Sequence, residues 1–140
     1  MALVLVDLNE LKEHEKIEKE YLEKLKKQIL RDGILKRPIV VDRNTNIILD
    51  GHFRFNALKQ LGYSKIPVFF IDYNSPDILV AAWRDGEIVT KEDVIRAGLT
   101  EKKLPPKTSK HMLNSSNHKI HISKIVKKVD VPLDELKGCN

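Results

Sequence analysis

The sequence predicts an α+β fold, a small mixed sheet flanked by helices, on three observations. Runs of β-branched residues, Ile39-Val40-Val41 among them, favour extended chain. Ile17, Tyr21, Leu25 and Ile29 recur every four positions, which is the helical period. Between these patterns a strand-like stretch, Asn46-Ile47-Ile48-Leu49, stops abruptly at Asp50-Gly51 and gives way to a second helical pattern.

The elements follow in order. Residues 2–6 form the first strand, with a turn at Asp7–Asn9. The stretch Leu11–Glu15 leads into a long helix whose apolar stripe is widened by Leu22 and Leu30 and which stops at Gly33. Strands 38–42 and 46–49 make a hairpin around the polar turn Asp42–Asn46. The next helix carries Phe55, Leu58 and Leu61 on its apolar face and is capped by Gly62. Strand Ile66–Ile71 follows, then a loop containing Pro76. Periodicity leaves residues 77–83 open between a strand and a short helix. Thr90, with Asp93 three residues on, marks the start of a helix that ends near Gly98. Beyond residue 100 the chain turns basic and proline-bearing, Asn114–His118 is polar and expected to be flexible, and residues 119–136 are expected to return as an edge strand.

At 140 residues and 16.1 kDa, 41% hydrophobic and 32% charged, the chain fits one soluble domain over 1–140, with 102–140 as a C-terminal extension. No apolar run reaches the roughly 20 residues of a membrane helix, and the opening Ala-Leu-Val-Leu-Val reads as a strand rather than a signal peptide. The expected location is the cytoplasm. The single cysteine, Cys139, cannot form an internal disulfide and lies in a tail ill-suited to a nucleophile. A net charge of +5 invites nucleic acid as a partner, but many lysines alternate with glutamates along one predicted helix, as on a solvated face. Lys/Glu richness with only two glutamines, Gln28 and Gln60, matches the composition of hyperthermophile proteins.

The chemistry concentrates at Asp50-Gly51-His52-Phe53-Arg54. A helix N-terminus offers free N–H groups and a partial positive charge, so it favours anions. Gly51 permits a sharp bend and close approach. Arg54 offers a planar fork to phosphate oxygens, and His52 a further donor. Asp50 is placed to hold a metal ion or an attacking hydroxyl. The same residues also fit a structural role in which Asp50 caps the helix and Arg54 makes a surface ion pair.

Ile-Leu-Asp-Gly-His-Phe-Arg-Phe-Asn-Ala-Leu-Lys-Gln-Leu-Gly resembles the signature segment of the ParB/sulfiredoxin superfamily, which implies a ParB/sulfiredoxin-like domain. Sulfiredoxins place a catalytic Cys directly before the His-Arg pair, and this chain has none there. Free L-serine kinases carry Asp-Gly-His-His-Arg, from which this chain departs only at Phe53. Two more segments resemble that branch. Leu11–Glu15 is similar to its His-Glu segment, which implies Glu15 as the catalytic carboxylate. Pro105-Pro106-Lys107-Thr108-Ser109-Lys110-His111 is similar to its Pro-Pro-Lys-Ser-Thr-Arg-His segment, which implies Ser109 and His111 as binders of the substrate amino acid. Trp83 resembles a substrate-pocket tryptophan.

The resemblance spans roughly residues 8–136, although better-known members are longer between the Trp and the Pro-Pro-Lys segment. It implies phosphoryl transfer to L-serine, giving O-phospho-L-serine for cysteine or serine metabolism. ATP is the expected donor, with ADP the alternative, and Mg²⁺ bridges the phosphates. Loop 50–54 would hold those phosphates, with Gly51, His52, Phe53 and Arg54 as contacts. Glu15 would take the hydroxyl proton, Asp50 would assist as second base or Mg²⁺ contact, and Trp83 would wall the pocket. Each residue also has a plainer reading: Glu15 as a helix-start carboxylate, Trp83 as core, His111 as an exposed side chain. His14, His118 and His121 lack metal-site spacing and read as structural. The rival functions are a ParB-type nucleotide- or DNA-binding module, a sulfiredoxin-like reductase, and a nucleotide-binding regulator without activity, for which Phe53 is the best argument.

Overall fold

Burial of the central strands on both faces determines the architecture. In a computed structural model, which describes residues 3–115 and 118–138, strand β3 (Ile39–Asp42) is buried along its whole length. Its successive side chains serve two cores, since Ile39 and Val41 enter one cluster and Val40 the other. A four-stranded mixed sheet forms around it in the order β1 (Leu3–Asp7), β5 (Lys65–Ile71), β3, β4 (Ile48–Asp50). The β3–β5 pairing is parallel and the others antiparallel. Helix α1 (Lys19–Asp32) and helix α2 (His52–Gln60) help to form the first core, with Leu22, Ile29, Phe55 and Leu58 among its buried members.

On the other side Ile47, Leu49, Ile71 and Tyr73 pack with Val94 of α3 (Lys91–Thr100), Ile78 and Ile122. Ile78 opens β6 (Ile78–Ala82), which pairs antiparallel with β7 (Ser109–Ser115), itself paired with β8 (His118–His121). Residues 77–83 therefore resolve as a strand, held by five register partners across β7. The expected edge strand over 119–136 is shorter. It comprises β8 and then 3₁₀ turns at Ile122–Ile125 and Leu133–Leu136, with β9 (Val131–Pro132) pairing β2 (Ile34–Leu35). Leu133 and Leu136 are buried in the first core and Ile122 in the second. Within the stretch expected to be flexible, Asn114 and Ser115 end β7 and His118 begins β8; residues 116 and 117 lie outside the described residues, as does Cys139.

Two helix boundaries differ from the sequence reading. The first helix begins at Lys19, so Ile17 precedes it, and the stripe residues Tyr21 and Leu30 are about half exposed. Tertiary hydrogen bonds override helical propensity over residues 11–18. Lys12 N–H donates to the Asn46 carbonyl at 2.9 Å and Lys16 N–H to the Leu104 carbonyl at 2.8 Å, while Leu104 N–H donates to the His14 carbonyl at 2.8 Å. Helix α3 starts on the predicted capping box, with Asp93 N–H donating to Thr90 Oγ1 at 3.1 Å, but continues through Gly98 to Thr100. Gly98 serves packing instead, since a Cβ there would lie 2.7 Å from Ile47. No helix among the described residues is long and apolar enough to cross a membrane.

Candidate active site

Helix α2 and strand β4 meet at Gly51, which adopts φ 108° as the helix N-cap. The turn is closed against the core, because a Cβ on Gly51 would sit 2.3 Å from Ile39 Cγ2. Asp50 does not cap the helix. Its carboxylate pairs with Arg54 at 3.2 Å, and both side chains are about one-fifth exposed. Arg54 Nη2 also donates to the Pro38 carbonyl at 3.4 Å, while its Nε is buried without a partner. A buried N–H with nothing to bond is costly unless a ligand completes it.

Residues 50–53 form the wall between two cavities. One, of about 490 Å³, is lined by Glu15, Asp50, Gly51, His52, Phe53, Trp83, Ser109 and His111, together with Lys16, Lys107 and His121. The other, of about 390 Å³, is lined by the same loop, Arg54 and, from α1 and the residues after it, groups including Tyr21, Leu25, Lys36 and Arg37. Of the site residues expected from sequence, all but Arg54 thus line the first cavity, and Arg54 lines the second. Phe53 packs edge-on against Tyr21, with ring centroids 4.6 Å apart.

Glu15 is not at a helix start. It sits in the extended segment before α1, bridged to Leu104. Its Oε1 accepts Thr108 N–H at 3.0 Å and Ser109 N–H at 2.8 Å. Lys107 adopts φ 55°, and the two backbone N–H groups that follow it converge on the carboxylate. Burial pushes the Glu15 carboxyl above its ordinary range, against the hydrogen bonds from Ser109, Thr108 and Lys107 that pull it down.

His14, assigned a structural place by its sequence spacing, is buried behind the cavity wall, where its ring reaches Ser109. Its ring meets His52 edge-on at 4.6 Å and His111 at 5.8 Å. His52 Nε2 accepts the His14 backbone N–H at 3.2 Å, so the neutral His52 ring carries its hydrogen on Nδ1. His111 is buried rather than exposed, with Tyr73 Oη 2.8 Å from its Nε2. Trp83 is half exposed at the cavity wall, 6.0 Å from the His121 ring and 5.0 Å from Lys110 Nζ. Neither His14 nor His121 shares a motif spacing with its partners, so only the folded chain reveals them. Among the described residues no cluster of three metal-ligating side chains occurs, which leaves Asp50 as a single carboxylate beside the loop.

The three imidazoles stay neutral. Burial drives His14 down to about 4 and His111 to about 3, and His52 well below the ordinary value of 6.5, with neighbouring rings adding to the effect on His52 and His111. An unfolded chain binds these protons below about pH 6.5 and the native one does not. Stability is therefore expected to fall as the pH drops from 6.5 through 4, by several kcal/mol, with Glu15 opposing only in part. Urea midpoints measured across that range test this; a flat profile would mean the imidazoles charge freely in place.

The fold and this loop define the class. Residues 2–84 match the ParB N-terminal domain, and the chain belongs to that family. It is 44% identical over 69 residues to a ParB-like protein of Sulfolobus acidocaldarius, covering 49% of this chain and 34% of that protein. It is 36% identical over 104 residues to an ATP-dependent L-serine kinase of Desulfurococcus mucosus, covering 69% of this chain. The chain spans 41% of that kinase's length. A solved free serine kinase in complex with AMP superimposes with a TM-score of 0.79 at 18% identity, covering 96% of this chain and 93% of that one, which establishes the shared fold.

Proposed function

We propose that this chain is a cytoplasmic free L-serine kinase that transfers a phosphoryl group from ATP to the serine hydroxyl, giving O-phospho-L-serine. The observation that carries the reading is the single loop, 50–54, set between a cavity holding a buried carboxylate and one holding an unsatisfied arginine N–H. The nucleotide occupies the Arg54 side, with its base and sugar against Tyr21 and Leu25 and its phosphates over Gly51 to Arg54. Serine occupies the Glu15 side, walled by Trp83, Ser109 and His111. Ser109 and His111 are bonded within the protein, so Lys16 and Lys107 supply positive charge for the serine carboxylate.

Glu15 accepts the hydroxyl proton as the serine oxygen bonds to the γ-phosphorus. The bond from that phosphorus to the bridging oxygen breaks, and ADP leaves; with ADP as donor the β-phosphoryl moves and AMP leaves. The amides of Thr108 and Ser109 hold Glu15 in place, and its raised proton affinity suits a base. Asp50, whose carboxylate pairs with Arg54, would be the residue to hold Mg²⁺, which would supply charge neutralisation for the phosphates.

Incubation with L-serine, Mg²⁺ and either ATP or ADP, at moderate and high temperature, tests the reading through phosphoserine formation and identifies the donor. Arg54→Ala is expected to weaken nucleotide binding about tenfold or more, measured by calorimetry; unchanged affinity would move the phosphate site elsewhere. The ParB match and the charge of +5 favour a second reading, a nucleotide- and DNA-binding module. Nucleotide binding without phosphoserine, together with steeply salt-dependent DNA binding, would establish it.

A further inference from the structure

The hydrogens around Glu15 can be counted. His14 Nδ1 lies 2.8 Å from the Ile48 carbonyl oxygen, which can only accept, so Nδ1 carries a hydrogen. Its Nε2 lies 2.9 Å from Ser109 Oγ, and Ser109 Oγ lies 3.0 Å from Glu15 Oε1. The serine hydroxyl has one hydrogen and two neighbours that would take it. If His14 is neutral, its bare Nε2 takes that hydrogen, and the Ser109–Glu15 contact is a bond only when the carboxyl supplies its own. If the hydroxyl instead donates to Glu15, Nε2 must carry a hydrogen and His14 must be an imidazolium. His14 is 1% exposed and flanked by two other imidazole rings, where a positive charge is poorly solvated.

We propose that Ser109 and His14 are positioning residues for the base: the Ser109 hydroxyl is committed to His14 and so turns an oxygen lone pair, not a hydrogen, toward Glu15 Oε1, which the Thr108 and Ser109 amides hold. This rests on the kinase reading for its use, since Glu15 must be unprotonated before it can receive a hydrogen from serine. Ser109 thereby keeps the base protonated to higher pH than the backbone amides alone would allow. The low affinity of His14 for a second proton, set by its burial, agrees with the same arrangement. The charged and titratable groups that face the unit are His52 from α2, His111 from β7, Asp50 and Lys16 along the cavity wall, Lys107 beside Glu15, and His121 from β8. None of them bonds Ser109 Oγ among the described residues, so the serine hydroxyl joins the Glu15 and His14 side chains.

The test uses the whole chain without substrate. Carboxyl-carbon NMR of glutamate-labelled protein, with Glu15 assigned by its loss in Glu15→Gln, follows the Glu15 titration. Ser109→Ala is expected to lower its midpoint by roughly one pH unit, because the amide donors remain and the hydroxyl lone pair is gone. Ser109→Thr, which keeps the hydroxyl, is expected to restore the wild-type midpoint. Nitrogen-15 spectra of wild-type His14 at neutral pH are expected to show hydrogen on Nδ1 and none on Nε2. A midpoint that rises or stays fixed in Ser109→Ala would overturn the proposal, as would a protonated Nε2 in the wild type. The wild-type histidine measurement stands even if the variant fails to fold. A protein with the expected titration that makes no phosphoserine would leave this inference intact and remove the kinase. Where the kinase holds, the acid limb of its pH–rate profile moves to lower pH in Ser109→Ala.

Discussion

Glu15→Ala is expected to lower phosphoserine formation by roughly a thousandfold or more, while nucleotide affinity stays within about twofold. The two effects separate because Glu15 lines only the cavity assigned to serine, whereas the loop and Arg54 adjoin the other. Losing the carboxylate leaves the amides of Thr108 and Ser109 facing a void that water can enter, so the fold should survive. The rate from single-turnover mixing and the affinity from calorimetry provide the two numbers. Full activity in this variant would show that the base lies elsewhere, with Asp50 the next residue to replace.

The largest stability effect is expected at Gly51. An alanine there must adopt φ 108°, a conformation that L side chains rarely take, and must place its Cβ 2.3 Å from Ile39 Cγ2, 2.8 Å from Ile39 Cβ and 3.0 Å from Arg54 Nη2. Ile39 is fully buried on the central strand and has nowhere to go. A loss of about 3 kcal/mol or more follows, with displacement of Arg54 and weakened nucleotide binding. Gly33→Ala is the control, since Gly33 has φ 68° but no atom within 4 Å of where a Cβ would lie, and should cost about 1 kcal/mol. Equal losses at the two positions in urea melts would mean that the Ile39 contact relaxes.

The parts of this molecule governed by neighbours in sequence were legible before the structure. The hairpin turn at Asp42–Asn46, the Thr90–Asp93 capping box and the Gly33 stop all depend on residues a few positions apart. The strand–turn–helix junction was legible for the same reason, as Asp50, Gly51 and the start of α2 are adjacent. The segment 11–18 was misread because its partners are Asn46, Ile48 and Leu104, and no periodicity reports a bond to a residue so far away. The packing of His14 was not legible on the same ground. It gains its place from Ile48, His52 and Ser109, which come from three separate elements. Resemblance brought Glu15, Trp83, Ser109 and His111 to attention together, and the fold adds that the last two are tied into the protein's own hydrogen bonds.

The bonds that hold Glu15 reach from residue 15 to residues 108 and 109, across sequence separations of 93 and 94. The turn at 50–54, by contrast, joins β4 to α2 within a few residues. During synthesis from the N-terminus, the turn can therefore form long before the amides that fix the carboxylate have been made. Closing so large a loop is also slow and entropically costly relative to local turns. On the kinase reading, phosphoryl transfer would therefore wait for residues 108 and 109, whose amides fix the Glu15 carboxylate, to be made and folded against it.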